Sequence, residues 1–502
     1  MPLLEVRAAV ATAILASVAV IGCSRSPRVA ADLVITRATI WTGNPAEPSA
    51  EAVAVIGDRI VDLGGADAID RWRGANTTVL DAEGRRLVPG FNDAEVRLVD
   101  GGTELGDVDL RDAGTAAELA RRINERARAR PGEWILGGHW DERRWQPAAL
   151  PTRAPIDDIT NSSPVFVVRY DGRMALANAT ALGRAGITER TPDPIGGAIV
   201  RDANGFPTGV LQDAAMEAVA RMIPTITPDQ RQRAVKRALE QAASLGITSV
   251  QDIGATPEDV SVYGDLANRG ELTVRVYALL TEAGWYDQAK LGIHRGFGSP
   301  WLRIGAVRAG FDPARDADQM RTRLMAADHA GLQLSVAAAG GAPTSAVLDL
   351  LGDIARTNGG RDRRFRLEGS RIGAADVDRL AALTAVPLVQ PSLAAADAST
   401  LIDKGVRVSF GSGWPSASLN VMPALAAATA HGVTVAQGLA AFTSGSAFAE
   451  FQEGEKGTIA RGKLADIVIL SDDPLPMPAS QIKDVRVLTT IVGGKVVHQR
   501  KP

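Results

Sequence analysis

One cysteine, five histidines and an aromatic share of 4% are what this 502-residue sequence has least of. The lone Cys23 excludes a disulfide within the chain. The histidines (His139, His294, His329, His431 and His498) are far apart, and none forms a His-Glu-x-x-His pair, so no ready-made zinc motif exists. Scarce aromatics argue against a base-stacking surface. Lys and Arg number 55 against 58 Asp and Glu, a formal net charge of -3, so nothing attracts nucleic acid. No Gly-x-Ser-x-Gly elbow is present, and the Gly340-Gly341 and Gly493-Gly494 pairs lack the spacing of a phosphate loop.

What is there reads as a globular protein of two to four domains, 45% hydrophobic and 23% charged. Residues 1–23 stand apart. An uncharged, mostly apolar stretch from Ala8 to Gly22 is too short to cross a bilayer and suits a secretory signal core. It ends in Val20-Ile21-Gly22-Cys23, which resembles a bacterial lipobox with Cys23 as the lipidated residue. That implies a periplasmic protein anchored to a membrane by lipid. Ser24 after the cysteine, rather than Asp, favours the outer membrane over the inner.

Short apolar runs separated by turns fill residues 31–88, among them Leu33-Val34-Ile35, Ala52 to Ile56 and Thr78-Val79-Leu80, and a matching set fills 455–500. Both ends predict one composite β-sandwich. Between them, over 89–450, strand-like runs alternate with helical ones such as Gln230 to Ala243 and Asp316 to Ala330. This pattern predicts an α/β fold, a (β/α)₈ barrel inserted in the sandwich. Residues 114–220 are extra to this pattern, are expected to form an α/β insertion, and carry Trp134, Trp140 and Trp145.

The stretch Val88-Pro89-Gly90-Phe91-Asn92-Asp93-Ala94-Glu95-Val96-Arg97-Leu98 resembles the end of the first barrel strand in the amidohydrolase superfamily. Glu455-Lys456-Gly457 through Asp473-Pro474 resembles the closing motif of that family. Trp134 to Trp145, Leu150-Pro151-Thr152-Arg153, Arg169 to Arg173 and Thr208 to Leu211 resemble its YtcJ-like branch, of the amidohydrolase-3 type. The resemblance implies hydrolysis of amide-type C–N bonds by a metal-activated water. It also implies where the metal ligands belong, and there this chain departs. Glu95 and Arg97 stand in place of the first-strand histidines, and Arg308 in place of the bridging lysine. Ala337 and Gly369 replace the two later strand-end histidines, and Gly413, in Gly411-Ser412-Gly413-Trp414-Pro415, replaces the catalytic aspartate. Arginine has no lone pair to donate and glycine no side chain.

The expectation is therefore a pseudoenzyme with no metal and no cofactor, serving ligand binding or scaffolding. Zinc or another divalent ion enters only under the alternative, an active amidohydrolase with a rebuilt site using Glu95, Asp93 or Asp252. A carboxylate-only cation site from Asp93, Glu95, Asp252 and Asp213 is a minor variant of it. Arg97, Arg173, Arg308 and Arg371 are expected to converge at the barrel mouth. They either pair with Glu95 in place of the lost metal charge or receive a small anionic ligand. Glu95 and Trp140 complete the candidate ligand-binding set, while oligomeric state is left open.

Overall fold

Gly90 is where the chain passes from one domain to the next. Its N–H donates to the Asp466 carbonyl at 2.9 Å on the sandwich side. A Cβ there would lie 2.2 Å from the Thr248 hydroxyl, so only glycine fits. Val88 and Pro89 before it pair with Val468 and Ile467, whereas Phe91 after it pairs with Ile247 in the barrel. The computed structural model describes residues 29–500 apart from 316, 340–342 and 370–371. The 1–23 leader, Cys23 and Arg371 lie outside the described residues.

Eight parallel strands follow one another around the barrel in chain order: Phe91–Val96, Ile247–Ala255, Arg275–Thr281, Leu302–Phe311, Gln333–Ala338, Arg366–Glu368, Val386–Val389 and Ser409–Phe410. The last and first strands nearly close the ring. The Gly413 N–H donates to the Glu95 carbonyl at 2.9 Å, and Val96 bridges Trp414. The expected (β/α)₈ barrel is thus present. The helix that leads into the second barrel strand shows how the sequence writes such a unit. In Pro228–Ser244, Thr227 and Gln230 form a reciprocal capping box, and proline occupies the first turn. Ala234, Val235, Ala238, Leu239 and Ala242 recur at intervals of three and four and bury one face.

The ends of the chain interleave. One sheet runs Arg59–Gly64, Ala52–Ile56, Leu33–Thr36, Thr78–Asp81. The facing one runs Lys495–Gln499, Val487–Val492, Ile467–Leu470, Arg86–Pro89, Thr39–Trp41, Ser49–Ala50. Ile35, Val53, Ile60, Leu87, Ile467 and Ile491 share the core between them. Sandwich and barrel are tied by a buried bidentate pair, Arg275 Nε and Nη2 to the Asp466 carboxylate at 2.8 and 2.9 Å. A third sheet of six strands, between Val108 and Asp213, belongs to the insertion. Its core holds Trp140 and Trp145.

Candidate functional site

At the C-terminal end of the first barrel strand, Asp93 and Glu95 are enclosed by the loop that follows the last strand. The Asp93 Oδ1 accepts from the Glu95 N–H at 3.0 Å and the Ser412 N–H at 2.9 Å. A Cβ on Gly411 would sit 2.5 Å from the Glu95 Cβ, so this backbone lies directly on the glutamate. Asp93 Oδ2 and Glu95 Oε2 are buried with no hydrogen-bond partner. Burial pushes the Asp93 carboxyl up to about 6. Burial, followed by the nearby charge of Glu368, pushes Glu95 up to about 7, with hydrogen bonding from Gln390 and the charge of Arg308 acting the other way.

Of the expected arginines, Arg97, Arg173 and Arg308 do not converge. Arg308 reaches Glu368 and not Glu95: its Nε donates to Oε2 at 2.7 Å, while the Ser335 hydroxyl donates to Oε1 at 2.6 Å. The reason is register. Arg308 pairs with Ser335, and Ser335 with Arg366, which brings Glu368 to the arginine's side of the mouth. Arg97 caps the helix Leu98–Glu104 with its side chain half exposed, 3.5 Å from Asp100 and bonded to the Ser416 hydroxyl at 3.1 Å. Arg173 is 71% exposed on the insertion and is taken up bidentately by Asp213 at 2.9 and 3.0 Å. Trp140 is fully buried, packs near Trp145 and donates its indole N–H to the Val167 carbonyl, so it lines no binding surface. Glu95 makes no ion pair with Arg97 or Arg308, contrary to expectation.

Three residues fill the interior in ways the sequence did not announce. Gln390 holds the space a side chain at Gly413 would need: a Cβ there would be 2.7 Å from its amide nitrogen and 2.8 Å from its amide oxygen, and Gly413 has φ +72°. Arg366, wholly buried, donates to the Gln251 amide oxygen and, at 2.7 Å, to the Ala94 carbonyl. Lys456 pairs with Glu450 at 2.8 Å and donates to Ser249 at 2.6 Å. The available signal was strand alternation, which puts Arg366 and Glu368 on one face.

This donor set does not fit a pair of divalent metals. Ala337, Gly369 and Gly413 offer no side-chain donor, and Arg97 and Arg308 are cations. Among the described residues, no three His, Cys, Asp or Glu come together in a way that could hold a metal ion. The carboxylate-only variant fails on Asp252, whose oxygens accept from the Leu98 N–H at 3.0 Å and the Tyr263 hydroxyl at 2.6 Å. Asp213 is engaged by Arg173.

The sequence from residue 78 to 498 matches the model of the amidohydrolase family, amidohydrolase-3 type. The chain belongs to the amidohydrolase family. Members of this family hydrolyse C–N bonds. The chain is 31% identical to the Arabidopsis thaliana protein LONG AFTER FAR-RED 3, over 94% of this chain and 92% of the relative. It is 24% identical to YtcJ of Bacillus subtilis (strain 168), over 86% and 92% respectively, which fits the YtcJ-like branch. Among solved structures, a metal-dependent hydrolase of Pyrococcus furiosus superposes with a TM-score of 0.71 at 21% identity, covering 88% of this chain and 99% of that one. That likeness is one of fold.

Proposed function

We propose that this protein is an amidohydrolase homologue without the metal centre, a pseudoenzyme that binds a small molecule or serves as a scaffold, held by lipid outside the cytoplasm. The observation that carries the reading is the Gly413 position. The aspartate expected there is gone, and the amide of Gln390 occupies its space beside Glu95. Amide in place of carboxylate removes both an anionic metal donor and a general base. The ion pair between Arg308 and Glu368 supports the same reading, because it supplies positive charge to a buried carboxylate without a divalent ion. The anchor rests on the signal-like leader and Cys23.

The experiment is metal analysis of the full chain purified from zinc-supplemented medium, combined with a turnover screen of N-acyl and formamide compounds. Neither stoichiometric metal nor turnover is expected. Zinc at one or more equivalents, lost along with activity on chelation, would overturn the proposal.

One observation favours a second reading, metal-free hydrolysis. Glu95 has an unpartnered buried oxygen and a carboxyl pushed up to about 7, suited to exchanging a proton with a leaving amine near neutrality. Turnover that survives chelation and disappears in Glu95→Gln would establish it.

A further inference from the structure

Four arginines gather away from the barrel mouth, in a cavity between the insertion and the helix that leads into the second barrel strand. Arg126 lies in the helix Ala116–Ala129 and Arg130 caps its end. Arg233 and Arg237 lie four apart in Pro228–Ser244, hence on one face. Against these four cations the lining provides two carboxylates, Asp107 and Glu133, leaving an excess of two positive charges. Glu133 is shared: Arg233 donates to it at 3.1 Å, and Arg130 lies 3.6 Å away. The Arg126 guanidinium has no hydrogen bond or ion pair among the described residues, and Asp107, whose charge acts on Arg126 and Arg237, forms no ion pair within 4.0 Å. Arg237 donates only its Nε, to the Gly102 carbonyl at 2.9 Å.

The cavity is built to hold these groups. Arg237 lies so close over Gly106 that a Cβ there would meet its guanidinium at 2.3 Å. Two buried donors inside it are unsatisfied, the Trp134 indole N–H and the Arg233 Nε–H. Leu136, Ile223 and Ile226 supply apolar walls. Burial, with the charge of neighbouring arginines, lowers the pKa of Arg126 and Arg237 below the ordinary guanidinium value. The volume, about 80 Å³, is several times the roughly 10–15 Å³ that one water needs on the same measure. Unpaired guanidinium forks, orphaned N–H donors and surplus positive charge all call for the same chemistry, an oxyanion of two charges.

We infer that this cavity binds a small dianionic oxyanion, of the phosphate-monoester or dicarboxylate class, through Arg126, Arg233, Arg237 and the Trp134 indole. The site is separate from the barrel mouth and does not depend on the pseudoenzyme reading. Inorganic phosphate, sulfate and succinate are the probes, titrated calorimetrically into the full chain at low and constant ionic strength, with chloride as the control. Phosphate or succinate should bind and raise the melting temperature while chloride does neither; which of the two binds more tightly identifies the class. Arg126→Gln should weaken binding by about tenfold or more, the usual weight of a charge-assisted hydrogen bond. Without ligand, the same variant should melt higher than the parent, because it relieves repulsion; a purely structural arginine would make it melt lower. Should Arg126→Gln fail to fold, Trp134→Phe removes one donor while keeping the ring, and should weaken binding about fivefold. Arg190→Gln, at an exposed arginine outside the cavity lining, should leave the affinity unchanged. Absence of heat and of any thermal shift with all three anions up to about 10 mM, or binding undiminished in a folded cavity variant, would overturn the inference.

Discussion

At the scale of single residues, Glu95 carries an energetic signature of its own. Its carboxyl moves from 4.5 in the unfolded chain to about 7 in the folded one. Between those values the folded protein keeps a proton that the unfolded chain has released, so stability falls as pH rises through the window. Asp93, raised from 3.8 to about 6, adds to the same slope at lower pH. Glu95→Gln should therefore flatten the profile and stabilise the protein by about 1–3 kcal/mol near pH 8, with little change near pH 4. Urea denaturation at several pH values is the measurement, and an unchanged slope would count against the burial argument. Gly413→Asp tests the neighbouring position. Restoring the aspartate forces a side chain into left-handed backbone and against the Gln390 amide. The expected cost is about 2 kcal/mol or more, and zinc uptake should stay absent. If Gly413→Asp alone gave a stable zinc protein, the remaining positions would matter far less than claimed.

Among elements, the contact between sandwich and barrel is set by Asp466. Both its oxygens are committed, one to Arg275 Nε and the other to Arg275 Nη2 and the Gly493 N–H. Arg275 is 3% exposed, and its guanidinium stacks 4.5 Å from the Trp301 ring. Asp466→Ala leaves that cation buried without its anion, which should cost about 3–5 kcal/mol. The midpoint of guanidinium unfolding would report it; a change below about 1 kcal/mol would mean that water replaces the carboxylate. The same elements explain what the sequence could and could not disclose. The alternation of strand-like and helical runs made the barrel legible, because each strand and each helix face must be buried against a neighbouring layer. The departures from the family pattern, from Glu95 to Gly413, were likewise readable one by one as residue identities. Where side chains go afterwards was not. Whether Arg308 meets Glu95 or Glu368 depends on register between strands, and the turning away of Arg97 depends on where a helix begins. The arginine cavity joins residues about a hundred positions apart, and no local pattern marks it.

For the whole molecule, the proposed leader makes a separate prediction. If Cys23 carries the anchor, Cys23→Ser should move the protein from the membrane fraction to the soluble periplasmic extract and abolish incorporation of labelled fatty acid. Retention in the membrane would refute the anchor while leaving the barrel untouched. Among the described helices, none is long and apolar enough to cross a bilayer. The interleaved sandwich has a temporal consequence. Arg86–Pro89 lies between Thr39–Trp41 and Ile467–Leu470, so an early strand waits beside an empty berth until nearly all of the polypeptide has been synthesised. A chain whose beginning can be locked only by its end has a late final folding step, and a nascent chain released short of that end would carry an exposed, sticky sheet edge.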